Sequence, residues 1–195
     1  MDEVRLVEWL PALGLAIALA ACAGLRAWLP LLLAGLLSRA GVLELGESFV
    51  FLGSTQALVL FGIASALEIA ADKVPALDHA LDALSTLLRP AAGALLAASV
   101  IGRFADPLTA LVLGIAVGAP ASLVPHAAKA TLRGLSSGLT AGLANPVISL
   151  LEDVVAVALF ILAVCVPLVV ALCVLFATFL VARRRLRRRP LARPA

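Results

Sequence analysis

An uncharged stretch near the C-terminal end constrains the fold of this chain more than any other feature. Residues 154–182 are 29 residues without a charged side chain. Such a run can cross a bilayer as a helix, since about 20 apolar residues are enough. Residues 183–195 follow directly and contain seven arginines and no acidic residue. Because basic clusters beside a span favour the cytoplasmic side, the C-terminus is expected in the cytoplasm.

The rest of the chain is also too apolar for a soluble domain. Of its 195 residues, 63% are hydrophobic and only 14% are charged, against about 45–50% and about 25% in an average soluble domain. A chain this short has too little interior to bury the surplus, so lipid must solvate much of it. We therefore predict an all-α fold, a polytopic membrane helix bundle of about five transmembrane helices. Residues 1–182 form its single membrane domain and 183–195 a basic cytoplasmic tail.

The apolar segments and the prolines between them predict the individual helices. We expect spans at residues 9–38, 48–71, 90–104, 107–133 and 146–182, and an amphipathic helix at 75–89. The first span is longer than a bilayer core of about 30 Å requires. Pro30 is expected to kink it, because proline removes the hydrogen bond to the carbonyl of Arg26.

Two segments are expected to be irregular. The predicted span 90–104 is short and rich in small residues, which suits a buried or re-entrant piece. Residues 134–146 are uncharged but rich in Gly, Ser and Thr, which suits a loop or a broken helix inside the protein. Five crossings place the N-terminus outside, and the count falls to four if 90–104 does not cross.

Weak internal matches suggest a repeat. At an offset of 94, five residues recur: Gly24, Ala27, Leu29, Ala34 and Arg39 correspond to Gly118, Ala121, Leu123, Ala128 and Arg133. At an offset of 84, residues 65–68 correspond to 149–152. Many small transporters contain such repeats, with their binding sites at the repeat interface. Because Ala- and Leu-rich sequences also match by chance, duplication and coincidence both stay open.

Charged side chains inside the apolar segments are the candidate functional residues, since each is costly there, by about 2.5–3.5 kcal/mol on insertion scales. The candidates for binding a substrate or ion are Arg26, Glu68, Asp72, Lys73, His126, Asn145 and Glu152. Glu68 and Asp72 are four residues apart and share one helix face. Two carboxylates there suit a hard cation or a shared proton, so a metal site, if the chain has one, is expected at this pair.

Other charges have two interpretations. Four polar residues recur at helical spacing: Ser122, His126, Lys129 and Arg133. They form one cationic stripe if the helix continues past Pro125, and the stripe could pair with the acids or pass an anion. For Lys129 and Arg133 an ordinary interfacial rim explains the spacing equally well. The dipole of the last helix is a sufficient reason for Asp153 near its start, whereas Glu152 mirrors Glu68.

Neither a cofactor nor an enzymatic activity is expected. The cysteines Cys22, Cys165 and Cys173 lie in apolar runs without disulfide or metal spacing. No nucleophile–base pattern or phosphate-binding loop occurs. The expected partners are the bilayer, anionic headgroups at the arginine tail and a second copy of the chain. Nucleic acid is not expected, because the tail abuts the bilayer and has no interleaved aromatic residues.

Four patches of the sequence carry a family resemblance. They are residues 24–30, 68–78, 89–93 and 145–153, of which the E-x-x-x-D-K-x-P-x-x-D pattern at 68–78 is the most specific. Together they resemble a bacterial and plastid membrane family catalogued as domain of unknown function 4126. The resemblance implies a polytopic membrane fold and the same charged patches, but no substrate. The arginine tail is not part of it.

These observations favour a small transporter or channel for an ion or small solute in the bacterial inner membrane. Its site would be formed by side chains that meet in one cavity, namely Arg26, Glu68, Asp72, His126 and Glu152. The alternative is a non-transporting membrane scaffold or a lipid-binding protein. In that case the same charges would form internal salt bridges.

Overall fold

The computed structural model describes residues 3–72, 75–140 and 145–187, which are helical apart from short turns and contain no strand. The helices are α1 (Glu3–Leu25), α2 (Trp28–Arg39), a 3-10 helix (Glu47–Gly53), α3 (Thr55–Ala71), α4 (Pro75–Ile101), α5 (Pro107–Thr140), α6 (Asn145–Cys165) and α7 (Pro167–Arg187). Four of them are long and apolar enough to cross a membrane, and the 3-10 helix with α3 is a fifth candidate, bent by 58°. The predicted all-α membrane bundle is confirmed.

Helix α1 is the centre of the bundle. Residues 18–23 are completely buried, and five of these six are alanine or cysteine. Helices α4, α5, α6 and α7 all pack against α1. Small side chains let neighbouring backbones approach closely, which replaces the hydrophobic driving force that is missing between helices in lipid.

Glycines bring α4 and α5 together in the same way. A Cβ atom on Gly93 of α4 would lie 2.8 Å from the carbonyl oxygen of Gly118 on α5. Gly24, near the end of α1, faces the backbone of Ser122 on α5. The three helices α1, α4 and α5 therefore form a close-packed unit, and this unit fixes the relative positions of the polar side chains near its end.

The first predicted span is divided into two helices. Helix α1 ends at Leu25 and α2 begins at Trp28. Pro30 is the third residue of α2 and has no N–H to donate to the carbonyl of Arg26. At the break, Glu68 of α3 binds two backbone amides. Its Oε1 atom accepts from the N–H of Ala27 at 3.0 Å, and its Oε2 atom accepts from that of Trp28 at 3.3 Å.

Helix α2 leads back along the bundle rather than continuing α1. Gly35, in its middle, packs against the backbone of Leu52, and Phe49 packs against Gly102 just after α4. Trp9, early in α1, contacts Phe104 in the same region, with the two rings tilted by 39°. The single span at 9–38 was therefore wrong. A break at which a side chain binds two backbone amides lets the chain reverse, whereas a proline kink alone would only bend it.

Two further helix boundaries differ from the prediction. Helix α4 runs unbroken from Pro75 to Ile101, so the expected amphipathic helix 75–89 and the expected span 90–104 are one element. Pro90 removes one hydrogen bond, and the buried packing of residues 92–101 maintains the helix. Helix α5 likewise continues past 133 to Thr140, so 134–140 is helical rather than a loop. Residues 141–144 lie outside the described part.

The predicted helix 146–182 is interrupted at Val166. A residue before proline disfavours helical backbone, and Pro167 begins α7. Helix α7 then continues to Arg187, so the first arginines belong to a helix and not to a separate tail that starts at 183. Residues 188–195 lie outside the described part.

The first and last described helices run in opposite directions. Ser149 of α6 contacts Arg26, at the end of α1, whereas Leu168 of α7 lies against Gly14, in the middle of α1. The start of α1 and the end of α7 therefore lie at the same end of the bundle. The expectation of termini on opposite sides of the membrane rested on five crossings, and α2 adds a short return pass that the sequence did not reveal. The sides that the termini face stay a prediction.

The structure argues against one of the two offsets of the predicted internal repeat and leaves the other open. An offset of 94 would place the counterpart of the break at Arg26 inside α5, which is continuous there. It also pairs Arg39, which is exposed, with Arg133, which is buried. The offset of 84 pairs Glu68 with Glu152, and both are buried. That second correspondence stays a prediction.

Candidate functional site

A group of buried charged side chains lies where α1 breaks. We call it the ion cluster, and its members are Arg26, Glu68, Asp72, Arg89, Lys129, Arg133, Glu152 and Asp153. All but Asp153 are at most 9% exposed. The set holds four cations and four carboxylates, so among the described residues its charge is balanced. Balance is expected, because a buried charge that has lost its partner destabilises a protein strongly.

Asp72 is the centre of the ion cluster. It is the residue that follows the last turn of α3. Its Oδ2 atom forms a short ion pair with Arg26 Nη1 and lies 3.0 Å from both Lys129 Nζ and Arg133 Nη2. Because all three cations use this one oxygen, Oδ1 has no hydrogen-bond partner among the described residues.

Glu152 of α6 shares two of these cations. Its Oε2 atom lies 3.0 Å from Lys129 Nζ and 3.1 Å from Arg133 Nη2. Its Oε1 atom is buried without a hydrogen-bond partner in the described part of the chain. Lys129 and Arg133 are four residues apart and share one face of α5. The two cations therefore bridge α3 and α6.

Arg26 joins the ion cluster from the break between α1 and α2. Its side chain is fully buried, and Nη2 lies 2.6 Å from Asp153 Oδ1 and 3.1 Å from Ser149 Oγ. Arginine suits such a position, since its planar fork of donors can bind several acceptors at once. The Nε atom of Arg26 is buried and has no hydrogen-bond partner among the described residues.

A second part of the ion cluster contains Glu68, Arg89 and the adjacent His126. Arg89 Nη2 lies 4.0 Å from Glu68 Oε1, and Arg89 Nη1 lies 2.6 Å from His126 Nδ1. Because a guanidinium has only donors, Nδ1 of His126 must accept, which leaves the ring proton on Nε2. That atom lies 3.5 Å from Thr86 Oγ1. His126 is therefore neutral in this arrangement.

A cleft beside the ion cluster reaches its carboxylates. This side cleft lies between α2, α3 and α4 and has a volume of about 520 Å³. Its lining is mostly apolar and includes the polar residues Glu68, Asp72 and Ser85. Leu67 and Leu84 line it as well and are 64% and 52% exposed. A volume in the range of about 300–1,000 Å³ suits a small ligand.

The structure brings most of the predicted site residues together. Arg26, Asp72 and Glu152 are linked by ion pairs with shared partners. Glu68 binds the backbone next to Arg26, and Glu68 and His126 both contact Arg89. They form a packed cluster rather than one open cavity, and of the five only Glu68 and Asp72 line the side cleft.

Two of the predicted site residues are not tested by the structure, and the predicted metal pair has other partners. Lys73 lies outside the described residues. Asn145 is the first residue of α6, and its side chain is also outside them. No group of three or more potential metal ligands occurs in the described part of the chain. A metal at Glu68 and Asp72 is not supported, because three cations surround Asp72 and backbone amides bind Glu68.

Sequence reasoning omitted four members of the ion cluster from the proposed site. Lys129 and Arg133 belonged to the predicted stripe, but an interfacial rim explained them equally well. Arg89 was placed at the end of an amphipathic helix, whereas it lies well inside α4. Asp153 was attributed to the helix dipole alone. The available signals were the spacing of the stripe past Pro125 for Lys129 and Arg133, and the resemblance patches 89–93 and 145–153 for Arg89 and Asp153.

An apolar bundle of spanning helices around a buried polar cluster defines the class of this molecule, a multi-pass integral membrane protein. The family model for Domain of unknown function (DUF4126) matches residues 13–187, and the chain belongs to this family. The resemblance drawn from the sequence is confirmed, and the match extends into the arginine segment. No curated protein and no solved structure matches the chain.

Proposed function

We propose that this protein is a small transporter or channel for an ion or small solute, rather than an enzyme, and that the ion cluster is its site. The observation that carries the proposal is the burial of seven charged side chains, paired with an eighth that is half-buried, beside a helix break in an otherwise apolar bundle. Replacing buried ion pairs by apolar residues is often neutral or stabilising. Stability alone is therefore a poor reason for so many buried charges, and charged groups at membrane depth are typical of ion and substrate pathways.

The local backbone supports this proposal. Transporter sites are commonly built where a helix is discontinuous, because broken ends expose peptide groups that can bind a solute. Here the amides of Ala27 and Trp28 are bound by a side chain, Glu68, and not by the preceding turn of a helix. A side chain can exchange partners without the unfolding of a helix. The break therefore provides both a polar surface and a means of rearrangement.

Reconstitution into liposomes tests the proposal. Uptake of inorganic ions and small organic acids is measured with and without a pH gradient, for the wild-type protein and for Asp72→Asn. We expect the wild type to transport at least one solute and the variant to lose most of that activity. Glu44→Gln is the matched control, since its ion pair with Arg103 is exposed and lies away from the ion cluster. A folded wild-type protein without flux for the whole panel contradicts the proposal.

We further propose a bacterial inner-membrane location with the C-terminus in the cytoplasm. The seven arginines that follow the uncharged run 154–182 support this orientation. They would also bind anionic lipid headgroups. Because the start of α1 lies at the same end as the end of α7, this orientation places the N-terminus in the cytoplasm too. The ion cluster then lies in the half of the bundle away from the cytoplasm.

A second candidate is a non-transporting membrane scaffold or a lipid-binding protein. The observation that favours it is the side cleft, whose exposed rim residues Leu67 and Leu84 suit an acyl chain. In this case the ion cluster only holds helices together. Glu68→Gln would then change the folding yield, and no variant would change a flux.

A further inference from the structure

We infer that Asp72 occupies the place of an anionic substrate, and that a small monocarboxylate replaces it when Asp72 takes up a proton. The inference rests on the proposed function in that both use the ion cluster. It concerns binding, however, and can be tested without measuring transport.

The first support is the arrangement of donors around Asp72. Arg26, Lys129 and Arg133 converge on one oxygen atom, Oδ2. Arginine and lysine donors of this kind form the strong, charge-assisted hydrogen bonds by which proteins bind carboxylates. The buried Nε of Arg26 has no hydrogen-bond partner among the described residues. The three cations therefore form an anion site that is filled by a carboxylate of the protein itself.

The second support is the access of Asp72 to the side cleft. Asp72 follows the last helical residue of α3, so its side chain can turn without the loss of a helical hydrogen bond in the middle of a helix. It lines the side cleft, and its Oδ1 atom has no partner among the described residues. A proton that enters through the cleft can therefore reach it. Glu152 shares two of the same cations but does not line the cleft.

The charged groups around Asp72 determine which kind of ion must bind together with the proton. The facing charged and titratable groups are Arg26 from the α1–α2 break, Glu68 of α3, Arg89 of α4, His126, Lys129 and Arg133 of α5, and Glu152 and Asp153 of α6. Those in direct contact with Asp72 are all cations. Glu68 is bound by the amides of α2, and the carboxylates of α6 are paired with the same cations.

The balance of charge then gives the stoichiometry. In the ion cluster, four carboxylates oppose four cations, and the adjacent His126 is neutral. Protonation of Asp72 adds the proton to its carboxylate and leaves one uncompensated positive charge. One monovalent anion restores the balance, and the cost of a buried unpaired charge favours that outcome. Proton and anion therefore bind together, one of each, and the net charge of the site does not change.

The residues that line the side cleft indicate the chemical class of the anion. Trp28 and Leu88 are apolar walls close to the carboxylates, and the volume of about 520 Å³ is far larger than a halide needs. A carboxylate headgroup with a short apolar body would place its charge on the cations and its carbon atoms against these walls. We therefore assign a small monocarboxylate rather than an inorganic ion or a polyanion.

A rescue experiment tests the anion site directly. Asp72→Ala leaves three cations without their shared carboxylate, so the purified variant should be less stable in detergent than the wild type. Formate and acetate should raise its unfolding temperature in a saturable way, since a ligand that binds the folded state stabilises it. Glu44→Ala, which removes an exposed carboxylate, is the control, with ionic strength held constant by a bulky sulfonate. If formate and acetate stabilise both variants equally, the anion site does not exist.

Proton uptake by the wild type is the second measurement, and it tests the inference even if Asp72→Ala does not fold. In weakly buffered solution, acetate binding should take up one proton per anion. Its apparent affinity should rise about tenfold for each unit by which the pH falls. Binding without proton uptake, or no binding, overturns the inference. Binding without flux in liposomes would contradict the proposed transporter alone, whereas flux of a solute that does not compete with acetate would contradict the inference alone.

Discussion

Lys129 shows how much a single side chain contributes to this molecule. Its ammonium group lies between two carboxylates, 3.0 Å from Asp72 Oδ2 and 3.0 Å from Glu152 Oε2. The residue is 2% exposed, so water cannot replace it as a partner. Its removal would leave an excess of buried negative charge between α3 and α6.

We therefore predict that Lys129→Met destabilises the protein by about 3–5 kcal/mol, the usual effect of removing one partner of a buried ion pair. Chemical unfolding in detergent measures the loss. Arg103→Gln, in an exposed pair with Glu44, should change stability by no more than about 1 kcal/mol. Adding Asp72→Asn to Lys129→Met restores the balance of charge and should recover part of the loss. Equal effects of Lys129→Met and Arg103→Gln would mean that water reaches the ion cluster.

Half of the charges of the site could be predicted from the sequence, because a charge in an apolar segment is conspicuous. That logic identified Arg26, Asp72 and Glu152. It could not decide between a buried stripe and an exposed rim for Lys129, since the choice depends on whether the helix survives Pro125. It also could not assign the partners of Glu68, because the amides that it binds are about 40 residues away.

At the scale of helices, the bond between Glu68 and the start of α2 holds three elements in place. The carboxylate accepts from the amides of Ala27 and Trp28, as a capping side chain does within one helix. Helix α2 has no side-chain cap of its own. Its start therefore depends on a residue of α3.

We predict that Glu68→Ala lowers stability by at least the amount that loss of a cap causes, about 0.5–2 kcal/mol. Glu68→Gln keeps a carbonyl acceptor and should lose less. Hydrogen exchange of the amides near Trp28 should increase more than that of amides in α5. Glu47→Ala, an exposed glutamate in the 3-10 helix, is the control and should leave exchange at the break unchanged. Uniformly faster exchange throughout the bundle would contradict a local capping role.

Two glycines of α5 provide a matched pair for the packing of helices. A Cβ atom on Gly118 would lie 2.7 Å from Ala97 Cβ of α4, whereas one on Gly134 would meet nothing within 4 Å. Gly118→Ala should therefore destabilise the protein by about 1–3 kcal/mol through overpacking. Gly134→Ala should stabilise it by up to about 1 kcal/mol, since alanine is the better helix former. Thermal unfolding of the two variants should show shifts of opposite sign, and shifts of the same sign would mean that α4 and α5 are not in close contact.

The existence of the long helices followed from the sequence, but their ends did not. Pro90 and Pro167 have the same local effect, the loss of one backbone hydrogen bond. Helix α4 continues through Pro90, and the chain leaves helical geometry just before Pro167. The difference lies in the surroundings, since residues 92–101 are mostly buried against α1 and α5 while Val166 is exposed. Tertiary packing of this kind is not visible in local spacing.

For the whole molecule, the reversal of the chain at Arg26 determines the arrangement in the membrane. Because α2 returns along the bundle, the start of α1 and the end of α7 lie at one end. Without this reversal the predicted five crossings would separate the termini. The same reversal places Arg26 beside α3 and α6, so the topology and the ion cluster depend on one structural feature.

We predict that reporters fused to the N-terminus and to the C-terminus report the same side of the membrane. A fluorescent protein that matures only in the cytoplasm should be active at both ends, and alkaline phosphatase, active only outside, at neither. A phosphatase inserted between α5 and α6 tests the opposite end of the bundle and should be active, because Arg133 of α5 and Glu152 of α6 both belong to the ion cluster. If the two termini report opposite sides, α2 does not return as the structure has it. The contacts of Arg26 with Asp72 and Ser149 would then be lost as well, so this measurement examines the membrane topology and the geometry of the ion cluster together.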